Sequence, residues 1–173
     1  QFGNRGWDLD LERMFAMVDG RTRAILINSP SNPTGWVMNR DDMRAVLEFC
    51  RPRGILVLSD EVYARMAYGR NAAPSFLEIA EPDDRLVVVN SFSKSWCMTG
   101  WRLGWLTAPP SLMPTLEKMI EFHYSCPAHF SRVAGIFDST ILAPKTVGVV
   151  GLGSGGSVCA LEMAKCGVGN FIL

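Results

Sequence analysis

Residues 55–63 read ILVLSDEVY, a short apolar run that ends abruptly in polar side chains. The same layout occurs twice more, in residues 24–32 (AILINSPSN) and residues 86–94 (LVVVNSFSK). Unbroken apolar runs rich in valine, leucine and isoleucine are typical of strands that are buried on both faces of a parallel sheet. Because parallel sheets bind ligands at the carboxyl ends of their strands, we expect these polar residues to converge on one edge.

A helical pattern lies between the run at residues 24–32 and the run at residues 55–63. Its apolar positions recur every three or four residues, at Met43, Val46, Leu47 and Cys50. Asn39 is placed to cap this helix, and Pro52 and Gly54 are placed to end it. Two further apolar runs lie at residues 146–150 and 170–173. Strands that alternate with helices predict an α/β fold, with a mostly parallel sheet between two layers of helices.

Composition excludes several classes of protein. The 173 residues carry 17 basic and 17 acidic side chains, so net charge gives no argument for nucleic acid or an acidic membrane surface. No apolar run approaches the roughly 18 residues of a membrane span, and the first residues do not resemble a signal peptide. Five cysteines without close pairing predict reduced thiols and no metal site. We expect a cytoplasmic protein that binds a small molecule.

The polar residues at the strand ends offer several reactive groups. They include one carboxylate, one phenol, one amide, one amine and one guanidinium: Asp60, Tyr63, Asn32, Lys94 and Arg102. Ser91 and Ser93 flank the amine, and hydroxyls beside a lysine with an arginine nearby are typical of an anion site. One such charge is more often a cap or a surface ion pair. Several of them in one sheet favour a functional site.

Three segments resemble a known family. They are SPSNPTG at 29–35, SDEVYARMAYG at 59–69 and SFSKSWCMTGWRLGW at 91–105. In this order they resemble the large domain of the class I aminotransferases, pyridoxal-phosphate enzymes of fold type I, over about residues 1–137. The resemblance implies transfer of an amino group between an amino acid and a 2-oxo acid, and a homodimer. Lyases and decarboxylases of the same fold type keep the same cofactor contacts and stay open as alternatives.

The resemblance also implies a role for each site residue. Lys94 matches the lysine that forms the internal aldimine with the cofactor and later moves a proton as a general base. Asp60 matches the carboxylate that keeps the pyridine nitrogen protonated, so that the ring accepts electrons. Asn32 and Tyr63 match the two groups that hydrogen-bond the phenolic oxygen of the cofactor and favour its charged form.

The remaining matches concern the phosphate and one face of the ring. Ser91 and Arg102 match phosphate ligands, and a forked guanidinium suits a dianion. Ser93, beside the lysine, is placed with these cofactor-binding residues. Val62 occupies the position whose side chain packs on the cofactor ring.

A second motif lies near the C-terminus. Residues 146–173 read TVGVVGLGSGGSVCALEMAKCGVGNFIL, in which Gly151, Gly153 and Gly156 follow an apolar run and precede a helical pattern. Such glycines let a phosphate approach the N-terminus of a helix. Residues 144–173 resemble the opening βαβ unit of the adenylating E1-like family, which includes ThiF and MoeB, and this resemblance implies ATP. The segment ends before the residues that would complete an adenylation site.

We therefore expect two segments, an aminotransferase-like one at 1–138 and a Rossmann-like one at 139–173. The chain begins without methionine and ends in an apolar run, so we expect a fragment. Relative to the family it lacks the glycine-rich phosphate loop and the small domain. Because catalysis needs precise placement, we expect impaired turnover. A natural fusion, a mis-assembled reading frame, an engineered hybrid, a nucleotide-binding protein and an inactive structural fragment stay open.

Overall fold

The computed structural model describes residues 2–3, 6–69, 71–124, 126–128, 146–148 and 170–172. The chain divides into two compact units, Gln1–Asn90 and Ser91–Leu173. The predicted division at residues 138 and 139 falls outside the described residues and stays a prediction.

The first unit is built around parallel strands. Its elements are β1 (Phe2–Gly3), β2 (Gly6–Trp7), α1 (Leu11–Ala16), β3 (Ala24–Asn28), α2 (Arg40–Cys50), β4 (Leu56–Asp60) and β5 (Leu86–Ser91), the last of which runs into the second unit. Strand β4 lies between β3 and β5 and is parallel to both. The register pairs Asn28 with Asp60 and Asp60 with Val89, so the three carboxyl ends are level. The predicted parallel sheet in an α/β fold is confirmed.

Helix α2 forms where the sequence pattern places it. The Asn39 side chain accepts a hydrogen bond of 2.8 Å from the Asp42 N–H, as a capping residue does. All four of the predicted apolar positions of the helix are buried. After Cys50 the chain makes one turn of 3-10 helix, and Gly54 then takes a left-handed backbone conformation with φ of 62°.

The core of the first unit lies on one face of the sheet. Helix α2 and a turn of 3-10 helix, Phe76–Glu78, contact each other, and α2 also contacts β4. Phe76 is fully buried in this cluster together with Val57 and Val88 from the strands. On β3 the side chain of Leu26 is 70% exposed. Burial on both faces, which the apolar run predicts, is therefore wrong for β3.

The difference between the strands follows from which faces are covered. Helix α2 and the Phe76–Glu78 turn cover only one face, so residues of β3 and β4 alternate in burial along each strand. In β5, three consecutive residues, Leu86–Val88, are buried. Burial on both faces, as predicted, therefore holds over Leu86–Val88, whereas Val89 at the end of the same apolar run is 42% exposed.

A buried ion pair joins the end of α2 to the loop before β5. Asp84 is 6% exposed, and its oxygens accept hydrogen bonds from Arg51 Nε at 2.6 Å and Arg51 Nη2 at 2.8 Å. The Glu81 N–H donates to the same carboxylate at 2.8 Å. The hydrogen bonds from the Arg51 guanidinium lower the pKa of Asp84 below its ordinary value.

Replacing Asp84 by asparagine should lower the free energy of unfolding at neutral pH by about 2 kcal/mol. This is less than the ~3–5 kcal/mol for breaking a fully buried pair, because solvent reaches part of the Arg51 side chain. The lowered pKa means that the ionised Asp84 stabilises the fold above pH 3.8, its ordinary pKa, and that this stabilisation is lost as the pH falls through the folded-state pKa. Denaturant unfolding should therefore show the difference between the two proteins shrinking in acid.

Asp83→Asn is the matched control for this prediction, because Asp83 is the exposed neighbour of Asp84 and loses the same formal charge. It should change the free energy of unfolding much less. Equal losses in the two variants would contradict the assignment of a stabilising pair to Arg51 and Asp84.

The second unit contains shorter elements. They are α3 (Phe92–Ser95), β6 (Gly104–Thr107), α4 (Met113–Tyr124), β7 (Thr146–Gly148) and β8 (Asn170–Ile172). Strands β7 and β8 lie within the two C-terminal apolar runs and pair in parallel. Gly151, Gly153 and Gly156 lie outside the described residues. Among the residues that are described, no helix combines the length and apolar character needed to cross a lipid bilayer.

An aromatic cluster at α3 consists of Phe92, Trp96 and Trp105. The ring centroids of Phe92 and Trp96 are 5.1 Å apart, and those of Phe92 and Trp105 are 5.0 Å apart. Trp96 and Trp105 meet edge to face at 6.1 Å. Tilted and edge-to-face pairs of this kind stabilise aromatic clusters beyond simple area burial. The cluster packs the helix that carries Lys94.

Candidate functional site

Two predicted site residues of the first unit are in direct contact. The Asn32 side-chain nitrogen, Nδ2, donates a hydrogen bond of 2.9 Å to the hydroxyl of Tyr63. The two residues are 31 positions apart in the chain and follow different strands. The fold therefore brings an amide and a phenol together at the carboxyl ends of β3 and β4.

Asp60 and Val62 lie beside this pair. Asp60 is the last residue of β4, and its carboxylate accepts a hydrogen bond of 3.2 Å from the Val62 N–H. Aspartate often closes a turn in this way, by binding the backbone two residues further on. The turn that follows β4 thus carries Asp60, Val62 and Tyr63 as one local structure.

Asn28 connects the two strand ends and was not among the site residues predicted from the sequence. Its side-chain oxygen accepts a hydrogen bond of 3.0 Å from the Asn32 N–H. Its side-chain nitrogen donates at 3.3 Å to the main-chain oxygen of Asp60. Asn28 is the first polar residue after its apolar run, so the signal that pointed to Asp60 was also available for Asn28.

Glu61 is a second residue beside the site that was not predicted from the sequence. It is 2% exposed, and its oxygen Oε1 accepts hydrogen bonds from the Ser59 hydroxyl at 2.9 Å and the Phe76 N–H at 3.1 Å. Burial raises the pKa of the Glu61 carboxyl above its ordinary value, and hydrogen bonds from Ser75, Phe76 and Ser59 oppose this shift. Val57, Ser59 and Glu61 alternate on the buried face, and this period of two was the available signal.

Replacing Glu61 by glutamine should remove a pH dependence from the stability of the chain. A raised folded-state pKa means that the wild-type chain is most stable while Glu61 is protonated, and that stability is lost as the pH rises above 4.5, its ordinary pKa, through the folded-state pKa. Glutamine carries no such proton. The unfolding midpoint of the variant relative to wild type should therefore rise as the pH increases above 4.5. A constant difference over this range would contradict the expectation.

Ser91, Ser93 and Lys94 lie together in the second unit. The Ser91 hydroxyl accepts a hydrogen bond of 3.0 Å from the Ser93 N–H and donates to the main-chain oxygen of Leu103 at 3.3 Å. Ser93 is buried, whereas Lys94 is exposed on α3. The short helix thus presents its amine to the surface beside a hydroxyl that caps it.

Arg102 has an unusual backbone conformation. Its φ is 51° and its ψ is 45°, a left-handed conformation that residues other than glycine seldom adopt. The guanidinium Nη1 donates a hydrogen bond of 3.0 Å to the main-chain oxygen of Thr99, and the residue is exposed. Backbone strain of this kind concentrates at functional sites.

The predicted site residues thus form two groups. Asn32, Asp60, Val62 and Tyr63 belong to the first unit, and Ser91, Ser93, Lys94 and Arg102 belong to the second. The convergence of both groups on one cofactor stays a prediction. The described part of the chain holds no cluster of three or more side chains that could bind a metal ion, and His129, Cys159 and Cys166 fall outside it.

Each group carries polar side chains that suit pyridoxal phosphate. In the first group a carboxylate, an amide and a phenol lie at one sheet edge, and these are partners for a pyridine nitrogen and a phenolic oxygen. In the second group an amine, a hydroxyl and a guanidinium suit an aldehyde and a phosphate dianion. The chemistry of the residues present therefore fits this cofactor.

Comparison with known proteins gives consistent matches. The family model described as "Aminotransferase class I and II" matches residues 3–139. An aspartate aminotransferase from Thermotoga maritima is 36% identical over 125 residues, which are 72% of this chain and 33% of that protein. A probable aspartate/prephenate aminotransferase from Aquifex aeolicus is 42% identical over 106 residues, 61% of this chain and 27% of that protein.

Solved structures agree with these matches. The crystal structure of the aspartate aminotransferase from Thermotoga maritima has a TM-score of 0.66 at 29% identity, covering 76% of this chain and 40% of that one. That of an aromatic aminotransferase from Pyrococcus horikoshii also has a TM-score of 0.66, at 28% identity, covering 91% of this chain and 39% of that one. The chain spans about a third of the length of the curated relatives that it matches. Since the family model covers most of its residues, the chain belongs to the class I and II aminotransferase family.

Proposed function

We propose that this chain binds pyridoxal phosphate and serves the transfer of an amino group between an amino acid and a 2-oxo acid. The observation that carries the proposal is the hydrogen bond between Asn32 and Tyr63 beside Asp60 at the ends of two neighbouring parallel strands. This arrangement supplies two hydrogen-bonding groups for one oxygen and a carboxylate for one ring nitrogen. Family membership over residues 3–139 supports the same conclusion.

The first group would bind the ring of the cofactor. When bound, pyridoxal phosphate supplies an electron-accepting ring that stabilises negative charge at the substrate Cα. Asp60 would hold the proton on the pyridine nitrogen, and Asn32 and Tyr63 would hydrogen-bond the phenolic oxygen. Val62, half-buried in the turn after β4, would pack against the ring.

The second group would bind the phosphate and supply the reactive amine. Ser91 and Arg102 would bind the phosphate oxygens, and the strained backbone of Arg102 supports a functional role there. Ser93 is buried, so we propose that it fixes α3 and the amine next to it. Lys94 would bond covalently to the cofactor and then move a proton as a general base.

Substrate, assembly and location belong to the proposal in general terms. The names of the relatives mention aspartate, prephenate and aromatic amino acids, so we propose only the class of amino acids and 2-oxo acids as substrates. A homodimer, which the family resemblance implies, is proposed with it, and a cytoplasmic location is proposed as the sequence predicts. Neither a nucleic acid nor a membrane is a proposed partner.

Covalent labelling tests the proposal. The chain is mixed with pyridoxal phosphate, the visible absorbance band is recorded, and the product is reduced with borohydride and digested. We expect a visible band, and a cofactor-sized mass increase on the peptide that contains Lys94. The chain has four lysines, Lys94, Lys118, Lys145 and Lys165, so the labelled position is readily assigned. Absence of the band, or equal labelling of all four lysines, would overturn the proposal.

For residues 139–173 we propose a Rossmann-like segment that binds a nucleotide. Parallel pairing of β7 with β8 supports this idea, because a βαβ unit places its strands in that way. Equilibrium dialysis with ATP is the test, and Gly153→Val should abolish retention, since a branched side chain would block approach of the phosphate. Equal retention by both proteins would refute a role for the glycine loop.

A further inference from the structure

Glu61 is buried next to the proposed cofactor residues, yet it has no role in the function proposed above. Its carboxyl group receives hydrogen bonds from Ser59 in β4 and from the Phe76 N–H in the segment 15 residues further on. The side chain therefore ties the end of β4 to the start of the Phe76–Glu78 turn.

The main chain of Glu61 also forms two hydrogen bonds. Its N–H donates to the Val89 oxygen of β5 at 2.9 Å, and its oxygen accepts from the Ala64 N–H at 2.9 Å. The second of these bonds closes a turn from Glu61 to Ala64, which contains Tyr63 and directly follows Asp60. The anchored side chain thus fixes the base of that turn.

We propose that Glu61 is a positioning residue, which holds the turn after β4 so that Asp60 and Tyr63 keep their places for the cofactor. This inference rests on the proposed function. Glu61 itself would touch neither cofactor nor substrate, because it is buried beneath the turn. A carboxyl group with several hydrogen-bond donors around it is a rigid support, since each oxygen can accept more than one bond.

The test uses four variants of the full chain. Glu61→Ala removes the side chain that bonds Ser59 and Phe76. Glu61→Gln keeps a carbonyl oxygen for both donors and should therefore preserve these two hydrogen bonds. Ser59→Ala removes one donor only and is the milder alternative if Glu61→Ala does not fold. Glu78→Ala is the matched control, because Glu78 is also a carboxylate that bonds this segment, through the Ser75 N–H, and it pairs with Arg40 of α2.

The first measurement needs no cofactor. Amide hydrogen exchange of Ala64 reports on the bond that closes the turn. We expect Glu61→Ala to lose protection at Ala64, Ser59→Ala to lose part of it, and Glu61→Gln and Glu78→Ala to keep it. Unchanged protection at Ala64 in both Glu61→Ala and Ser59→Ala would overturn the inference.

The second measurement titrates the visible band of the bound cofactor with pH. In Glu61→Ala, the hydrogen bonds from Asn32 and Tyr63 to the phenolic oxygen should be weaker. The pH midpoint of this titration should therefore rise by about 0.5 to 1 unit, as expected for one lost hydrogen bond. Glu61→Gln and Glu78→Ala should titrate like wild type. An equal shift in Glu78→Ala, or none in Glu61→Ala, would refute positioning by Glu61, whereas a wild-type chain without a band would refute the proposed function itself.

Discussion

Replacing Lys94 by alanine should abolish covalent attachment of pyridoxal phosphate to the chain. Attachment needs a primary amine at the site, and Lys94 supplies one from the exposed side of α3, where the Ser91 cap and the aromatic cluster hold the helix. Alanine favours a helix, so the substitution removes the amine with little change to the local fold. The measurement is the mass increase after borohydride reduction, together with the visible band.

Lys118→Ala is the control for this prediction. Lys118 is an exposed lysine on α4, and its loss should leave both the band and the labelling unchanged. If the cofactor reacted with lysines at random, loss of one lysine in four would lower total labelling by only about a quarter. A small, similar decrease in the two variants would therefore rule out Lys94 as the specific site.

Replacing Phe76 by alanine should lower the free energy of unfolding by about 3–5 kcal/mol. Phe76 is fully buried in the core that α2 forms with the sheet, so its removal exposes apolar surface and leaves a cavity. Native domains are stable by only about 5–15 kcal/mol, so a large share of the total would be lost. Equilibrium unfolding in urea, followed by circular dichroism, measures the change.

Leu77→Ala serves as the comparison for Phe76→Ala. Leu77 is the next residue in the same turn, and it is 45% exposed. Its truncation should cost well under half as much, because less apolar surface is lost and solvent fills the space. Similar losses at both positions would contradict the packing of Phe76 as the centre of the core.

The parts of the fold that follow from local pattern were predictable from the sequence. Unbroken apolar runs marked β3, β4 and β5, and the spacing of apolar residues after Asn39 marked α2. The mistaken expectation for Leu26 has a different origin. An apolar run shows that a residue can be buried, but which face is covered depends on the elements that pack against the sheet.

The candidate site likewise contains residues that could be predicted from the sequence and residues that could not. Asn32 and Tyr63 could be selected because their motifs are distinctive, and the structure places them in contact. The period of two along β4 could place Glu61 on the buried face, but nothing in the sequence shows which residue its carboxyl group contacts. Its role depends on Phe76, which reaches the carboxyl group only after the intervening loop has folded. Contacts of this kind join residues whose spacing follows no regular period.

The packing of Trp96 and Trp105 around α3 has a spectroscopic consequence. Trp96 is two residues from Lys94, and a chromophore attached to that amine would absorb where indole emits. Because resonance energy transfer falls steeply with distance, such a chromophore would quench the emission of Trp96 and Trp105. The chain therefore contains its own fluorescent reporter for occupancy at Lys94, and it needs no added dye.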